Sequence, residues 1–160
     1  MTGAAGERRV SVLRAGLLVL AAPQVVIGVW ALFAPRAFYD GFPAAGHAWV
    51  ALLPPYNEHL VRDVGALNLA VCVVLVAAAV APHRLLVTVA LVCQLVYTVP
   101  HAVFHVTHLD GFPAADAVAQ TAGFAVQVVL PLALLALARR LTAAPPPSPG
   151  RRSAVRPPSR

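Results

Sequence analysis

The sequence predicts an all-α, polytopic membrane protein: a four-transmembrane-helix bundle with both termini in the cytoplasm and a disordered C-terminal tail. Of its 160 residues, 59% are hydrophobic and only 11% are charged, whereas about a quarter of the residues of a soluble domain are charged. The apolar residues form four runs, each long enough at about 1.5 Å per residue to cross a hydrocarbon core of about 30 Å. The arginines cluster beside these runs, as membrane topology requires.

The first span is expected at about residues 15–34, after a polar N-terminal segment at residues 1–14. A basic start before one apolar run also resembles a signal peptide. This run is longer than the usual h-region, however, and carries Trp30 near its far end, so we predict a retained span. The loop that follows is rich in aromatic residues and prolines, which favours an interfacial segment with a short helix at His47–Leu53.

The other three spans are expected at about residues 60–81, 85–107 and 114–138, each a long apolar run bounded by prolines or charged residues. Together the four spans form one transmembrane domain over residues 15–140. The remaining segment, residues 141–160, is rich in Pro, Ser and Arg and cannot bury a core, so we expect it to be disordered.

The distribution of arginine predicts the orientation of the chain. All twelve basic residues are Arg, and only Arg36 and Arg62 fall on the side opposite the termini. The rule that cytoplasmic loops carry the excess of Arg and Lys then places both termini inside a bacterial plasma membrane. Because the basic residues follow membrane topology, the expected partner is the lipid bilayer, with a membrane-protein partner or a homo-oligomer in addition, and not nucleic acid.

One short sequence occurs twice. Asp40-Gly-Phe-Pro-Ala-Ala45 returns as Asp110-Gly-Phe-Pro-Ala-Ala115, and each copy links an outward-running span to an inward-running one. The pair is explained either by duplication of a two-helix hairpin or by chance in a chain rich in Ala and Pro. In both cases the two turns are expected on the outer face.

A polar stripe lies at the end of the third span. His101, His105 and His108 fall within about 60° of one another on a helix, and Gln94 and Tyr97 extend the stripe inward. Such a stripe on a membrane-spanning helix costs free energy unless other groups inside the protein form hydrogen bonds or ion pairs with it. A histidine near the interface can also bind water or headgroups, and His108 is the strongest candidate for that simpler role.

Two other spans place polar residues at a similar outer depth. On the second span, Glu58 and Arg62 are four residues apart, as are His59 and Asp63, so each pair can interact along the helix. On the fourth span, Asp116, Gln120 and Gln127 lie within about 40° of one face. The sequence therefore predicts a shared His and carboxylate pocket, although Glu58 and Arg62 are also typical of a solvated helix start. The full set of pocket candidates is Glu58, His59, Arg62, Asp63, Gln94, Tyr97, His101, His105, His108, Asp116 and Gln120.

Three kinds of cofactor suit this pocket. Histidines four residues apart, with a carboxylate from another helix, are typical ligands of zinc, iron or copper, and the predicted metal ligands are His59, Asp63, His101, His105 and Asp116. Haem is a second candidate, with His59 and either His101 or His105 as axial ligands. A quinone or a proton relay uses His59, Gln94, Tyr97, His101 and His105 without a metal.

The stretch Asn57-Glu-His-Leu-Val-Arg-Asp-Val-Gly-Ala-Leu-Asn-Leu-Ala70, together with hydropathy over residues 15–140, resembles small bacterial membrane proteins of the DoxX-like group, including its DUF4345-type relatives. This resemblance implies a four-helix membrane fold and a link to quinone-coupled sulfur oxidation or membrane redox complexes. The histidine stripe is not a general mark of that group, so the resemblance assigns no site residue.

Three functions remain open at this point. The first is a small subunit or binding module whose pocket holds a metal, haem or quinone. The second is a metal-dependent hydrolase at the outer leaflet, with Glu58 or Asp63 as general base. The third is a small transporter or proton-relay protein. Nucleophilic catalysis is disfavoured, because the only serine before the tail is Ser11, on the opposite side of the membrane from the polar stripes.

Overall fold

The computed structural model describes residues 2–53 and 55–139, and every regular element in these residues is a helix. The helices are α1 (Thr2–Phe33), α2 (Pro35–Gly41), α3 (Glu58–Val80), α4 (Arg84–Thr107) and α5 (Ala114–Ala138). All except α2 are long and apolar enough to cross a membrane. The prediction of an all-α, multi-pass helical bundle is thus confirmed. The predicted tail, residues 141–160, lies outside the described residues.

The region around the first span differs from the expectation in two ways. Helix α1 begins at Thr2, well before the apolar run, because no proline interrupts it before Pro23. The predicted short helix at His47–Leu53 is wrong: these residues form turns, since Gly46 and Ala48 have φ values of +92° and +49° that a right-handed helix cannot contain. The short helix lies earlier, where Pro35 pre-sets the first turn of α2.

The long helices pack in the order α1, α3, α4, α5 around the bundle, and α5 closes against α1. Three residues join α3 to α4, and six join α4 to α5, so consecutive helices run antiparallel. One end of the bundle therefore contains the starts of α1 and α4 and carries Arg8 and Arg84; we call it the arginine end. The opposite end, which carries the two longer connections, is the loop end.

The two halves of the bundle are built differently. The half near the arginine end has a dry core of buried side chains from all four long helices, and leucines fill most of its volume. Its members are Leu13, Leu17, Leu20, Ala21, Val71, Leu75, Ala78, Ala79, Val87, Ala90, Leu91, Leu134 and Ala138. The half near the loop end contains a cavity and nearly all of the buried polar side chains.

Helices α1 and α3 approach each other closely near the loop end. A Cβ atom added to Gly65 would lie 2.5 Å from the backbone nitrogen of Leu32, and one added to Gly28 would lie 3.1 Å from the backbone oxygen of Gly65. Small residues at helix contacts permit this approach in membrane proteins, where van der Waals packing replaces the hydrophobic drive. The contact fixes which face of α3 points into the bundle.

The two copies of the repeated sequence lie at the loop end but adopt different conformations. In the first copy, Asp40 and Gly41 end helix α2. In the second, Gly111 has a φ of +93° in a turn, and Pro113 precedes the first residue of α5. Gln24 and Gln94 are separated by the same seventy residues and bond to each other inside the bundle. Duplication of a hairpin remains a hypothesis, which this pairing favours.

Candidate ligand-binding cavity

A cavity of about 570 Å³ occupies the loop-end half of the bundle. Side chains from all five helices and from the loop after α2 line it, and most of them are apolar or aromatic. Ligand sites in proteins have this composition and a volume of about 300–1,000 Å³. No Asp, Glu, Lys or Arg is among the described residues that line the cavity, so its interior carries no formal charge when the histidines are neutral.

The bottom of the cavity is a network of three side-chain amides and one hydroxyl, which we call the amide floor: Gln24, Gln94, Gln127 and Thr98. Nε2 of Gln24 donates to Oε1 of Gln94 (3.2 Å) and Oε1 of Gln127 (3.3 Å). Nε2 of Gln94 donates to Oε1 of Gln127 and to Oγ1 of Thr98, both at 2.8 Å. The network links α1, α4 and α5 and separates the cavity from the dry core.

A second polar contact joins α3 to α4 at the same level. Nδ2 of Asn68 donates to the hydroxyl oxygen of Tyr97 at 2.8 Å and to the backbone oxygen of Val64 at 2.7 Å. Asn68 is buried, so these bonds supply the partners that its amide would otherwise lose on leaving water. Tyr97 in turn presents its ring to the cavity.

Above the amide floor, aromatic rings and imidazoles surround one part of the cavity. The rings of Tyr97 and His101 stack with centroids 5.5 Å apart and planes 17° from parallel. Phe124 lies 5.4 Å from His101 and 5.1 Å from His105, centroid to centroid. Nδ1 of His105 donates to Oε1 of Gln120 at 2.8 Å. These rings form an aromatic box suited to a flat conjugated group.

Three buried polar atoms at the cavity have no protein partner: Oε1 of Gln24, Nε2 of Gln120 and Nε1 of Trp49. Gln24 is 1% exposed and Gln120 is 4% exposed. Leaving such a group without a hydrogen bond costs about 1–3 kcal/mol, so native proteins pair it with water or a ligand. The residues that carry these two donors and one acceptor all line the cavity.

The loop after α2 closes the cavity on its loop-end side. Residues 42–53, the roof loop, place Phe42, Trp49 and Val50 over the opening. The loop is held internally by a bond from the Trp49 backbone nitrogen to the Phe42 oxygen at 2.7 Å. It is tied to α5 by His47, whose Nδ1 lies 2.8 Å from Oδ1 of the buried Asp116.

The structure brings together only part of the predicted pocket. Gln94, Tyr97, His101, His105 and Gln120 all line the cavity or its amide floor. His108 lies outside it: its ring stacks on Phe104, and its Nδ1 donates to the Phe104 oxygen at 2.7 Å. Asp116 pairs with the roof loop and does not line the cavity.

The charged cluster at the start of α3 faces outward. Nδ1 of His59 and Oδ2 of Asp63 pair at 3.1 Å as expected, but their side chains are 82% and 61% exposed. Glu58 and Arg62 also pair along the helix, at 2.8 Å. None of the four lines the cavity, because the Gly65 face of α3 is turned towards α1, and Asp63 lies about 160° around the helix from Gly65. The candidate bases Glu58 and Asp63 therefore do not line the cavity.

This placement does not support the predicted metal and haem sites. Within residues 2–53 and 55–139, no three His, Cys, Asp or Glu side chains are grouped so that they could hold a metal ion. The five predicted ligands do not converge: His101 and His105 are neighbours, with centroids 4.5 Å apart, His59 pairs with Asp63 at 3.1 Å, and Asp116 pairs with His47. His59 points away from both, so it is not placed to serve as an axial ligand opposite them.

Arg62 has a structural role that the sequence did not reveal. Its Nη1 donates to the backbone oxygen of Leu32, one of the unpaired carbonyls at the end of α1, while its Nε donates to Glu58 at 2.9 Å. The guanidinium thus links the start of α3 to the end of α1. This bond supports the close contact made by Gly65.

Replacing Arg62 with alanine should lower the free energy of unfolding by about 1 kcal/mol, because it frees a helix-end carbonyl at a partly exposed site. Arg36→Ala is the matched control. Arg36 also pairs with an acid four residues away, Asp40, whose hydrogen bond raises the pKa of Arg36, but its contacts stay within α2 and the neighbouring tyrosines. Thermal unfolding in nanodiscs should show a lower Tm for Arg62→Ala alone; equal shifts would contradict the linking role.

The sequence analysis missed Gln24, Asn68 and Trp49. Gln24 and Asn68 are single uncharged polar residues inside apolar runs, and a buried amide in a span needs a partner as much as an ionisable group does. Gln24 and Asn68 could therefore have been predicted from the sequence. The position of the roof loop could not, because it depends on the pairing of His47 with Asp116, far away along the chain.

Comparison with known proteins adds no relative to these observations: no family model matches the chain, and neither a curated protein nor a solved structure shows significant similarity to it.

Proposed function

We propose that this protein is a membrane binding module that holds a quinone in the cavity beneath the roof loop. The observation that carries the proposal is the set of unpartnered donors, Gln120 Nε2 and Trp49 Nε1, on an otherwise apolar and aromatic cavity. A quinone has a flat conjugated ring and two carbonyl acceptors, so it offers acceptors to these donors and a ring to the aromatic box. Because no charged side chain lines the cavity, an uncharged ligand is favoured.

The architecture favours binding over passage through the membrane. The cavity ends at the amide floor, and the leucine-rich core fills the rest of the bundle up to the arginine end. A transporter or proton relay needs a polar route to both sides, and the dry core offers none among the described residues. Hydrolysis at the outer leaflet is less well supported, since Glu58 and Asp63 are outside the cavity.

In this proposal the arginine end lies in the bacterial cytoplasm, and the cavity lies in the outer half of the plasma membrane. The module acts together with a membrane-protein partner that oxidises or reduces the bound quinone. The DoxX-like resemblance, with its link to membrane redox complexes, agrees with that role.

The test uses the full chain in nanodiscs, titrated with a naphthoquinone that has no side chain. We expect saturable binding close to one molecule per chain. Gln120→Leu removes one donor and leaves His105 without its partner, so it should weaken binding at least about tenfold, which corresponds to about 1.4 kcal/mol. Bound quinones extracted from the purified protein into organic solvent, and identified by mass spectrometry, provide a second measurement.

Thr121→Leu is the matched control, since Thr121 is the exposed neighbour of Gln120 on the same helix and does not line the cavity. It should leave the affinity within about twofold of the wild type. A folded wild-type protein that binds no quinone would overturn the proposal, as would an affinity that Gln120→Leu leaves unchanged.

A further inference from the structure

The cavity is not fully enclosed, since several of the residues that line it are exposed. The amide floor closes it towards the arginine end, and the roof loop closes it towards the loop end. Two boundaries between neighbouring helices, which we call seams, remain as routes out of the cavity. One lies between α5 and α1, and the other lies between α3 and α4. A ligand must therefore leave the cavity through one of these seams or after a movement of the roof loop.

The two seams differ because the two connections at the loop end differ in length. Sixteen residues separate α2 from α3, whereas six separate α4 from α5. The longer connection contains the roof loop, which reaches across to α5 through the pairing of His47 with Asp116. The roof loop is thereby held against the start of α5, on the side of the cavity where α5 neighbours α1. The six-residue connection between α4 and α5 has no comparable length with which to cover the seam between α3 and α4.

The seam between α3 and α4 opens above the bond that joins Asn68 to Tyr97. Nearer the loop end, Leu60 of α3 and Phe104 of α4 both line the cavity, and they are 59% and 40% exposed. Among the described residues, these two are the large apolar side chains that line the cavity and are also exposed, so they mark a mouth between α3 and α4. Since α3 and α4 are membrane-spanning, this mouth faces lipid, not water.

We infer that the ligand is an amphiphile whose hydrocarbon chain leaves the cavity sideways, between Leu60 of α3 and Phe104 of α4, and remains in the bilayer. This inference rests on the proposed function and adds to it the chemical class: a quinone that carries a long apolar side chain. The ring lies in the aromatic box against Gln120, and the chain follows Val64 and Leu60 outward. Burial of each further methylene against apolar surface favours the chain in lipid over water by about 0.8 kcal/mol.

The first test locates the chain directly. A naphthoquinone that carries a decyl chain with a terminal photoreactive diazirine is bound to the full protein in nanodiscs, irradiated, and mapped by peptide mass spectrometry. We expect labelling of residues 58–68 and 97–107, which flank the mouth, and of the surrounding lipid. Labelling confined to the roof loop or to residues 119–127 would overturn the inference, because the chain would then leave through another side.

The second test separates this inference from the proposed function. Leu60→Trp narrows the mouth, so it should weaken binding of the decyl-bearing quinone at least about tenfold more than it weakens binding of the ring without a chain. Leu67→Trp is the control, since Leu67 is exposed on α3 but does not line the cavity. Equal affinities of Leu60→Trp and Leu67→Trp for the chain-bearing quinone would overturn the lateral mouth alone. Failure of both quinones to bind the wild type would overturn the proposed function as well.

Discussion

Gly65→Val is expected to prevent stable folding of the bundle, with a free energy of unfolding lowered by about 3 kcal/mol or more. The reason is that an added Cβ would lie 2.5 Å from the backbone nitrogen and 2.9 Å from the Cα of Leu32. Backbone atoms cannot rotate away as the end of a side chain can, so α1 and α3 would have to separate. Their separation would also break the bond from Arg62 to the end of α1.

Gly6→Val is the matched control, because it makes the same change within α1 at a position where no atom lies within 4 Å of the added Cβ. Any intrinsic effect of valine on a helix appears in both variants. Gly16→Ala tests the argument further, since the atoms it meets belong to the Leu134 side chain, which can move. We expect the Tm to fall in the order Gly6→Val, Gly16→Ala, Gly65→Val, with the last one lowest. A Gly65→Val protein as stable as Gly6→Val would show that α1 and α3 do not touch this closely.

The four long helices were predictable because hydropathy depends on composition over about twenty residues and needs no knowledge of packing. The ends of α1 and α2 were less predictable. Helix α1 continues to Thr2 because no proline interrupts the segment before the apolar run, and its Ala, Glu and Arg residues favour a helix despite Gly3 and Gly6. The turns of the roof loop depend on a positive φ at Ala48. The residue type does not predict it, since alanine seldom adopts a positive φ.

The polar stripe on α4 was predictable for the same reason as the helices, because its residues share one face of a single element. His101 and His105 line the cavity as the spacing indicates, and Gln94 lies below them in the amide floor. The partners on α3 were not predictable in this way. Depth along the membrane places His59 and Asp63 near the same level, but only the rotation of α3 about its axis decides where they point. That rotation is set by the Gly65 contact with α1, which hydropathy cannot report.

The amides that build the cavity are a weaker signal in the sequence than the ionisable residues. An ionisable residue in a span is conspicuous, whereas Gln24 and Asn68 each interrupt an apolar run by one position. Yet the amides are the groups that a low-dielectric bundle can bury at least cost, because each can both donate and accept. The bundle buries this network of amides, whereas the charged side chains at the start of α3 stay exposed.

Gly123→Phe is expected to abolish quinone binding while the protein stays folded. Gly123 lines the cavity, and no atom lies within 4 Å of the position that its Cβ would occupy. The helix therefore accepts a side chain there without moving, and a phenyl ring beside Phe124 takes up space that the ligand ring needs. Binding of the naphthoquinone without a side chain should weaken at least about a hundredfold, or about 2.8 kcal/mol, as measured by titration in nanodiscs.

Two further variants decide whether the loss arises from filled space. Gly123→Ala adds only the Cβ and should retain binding within about threefold, whereas Ala122→Phe places the same ring on the exposed neighbouring position, outside the cavity, and should have no effect. Comparison of the three Tm values checks that none is merely unfolded. If Gly123→Phe bound the quinone as the wild type does, the ligand would have to lie elsewhere, since a phenyl ring and a quinone ring cannot share one position. If all three variants lost binding equally, the effect would belong to this stretch of α5 and not to the volume of the cavity.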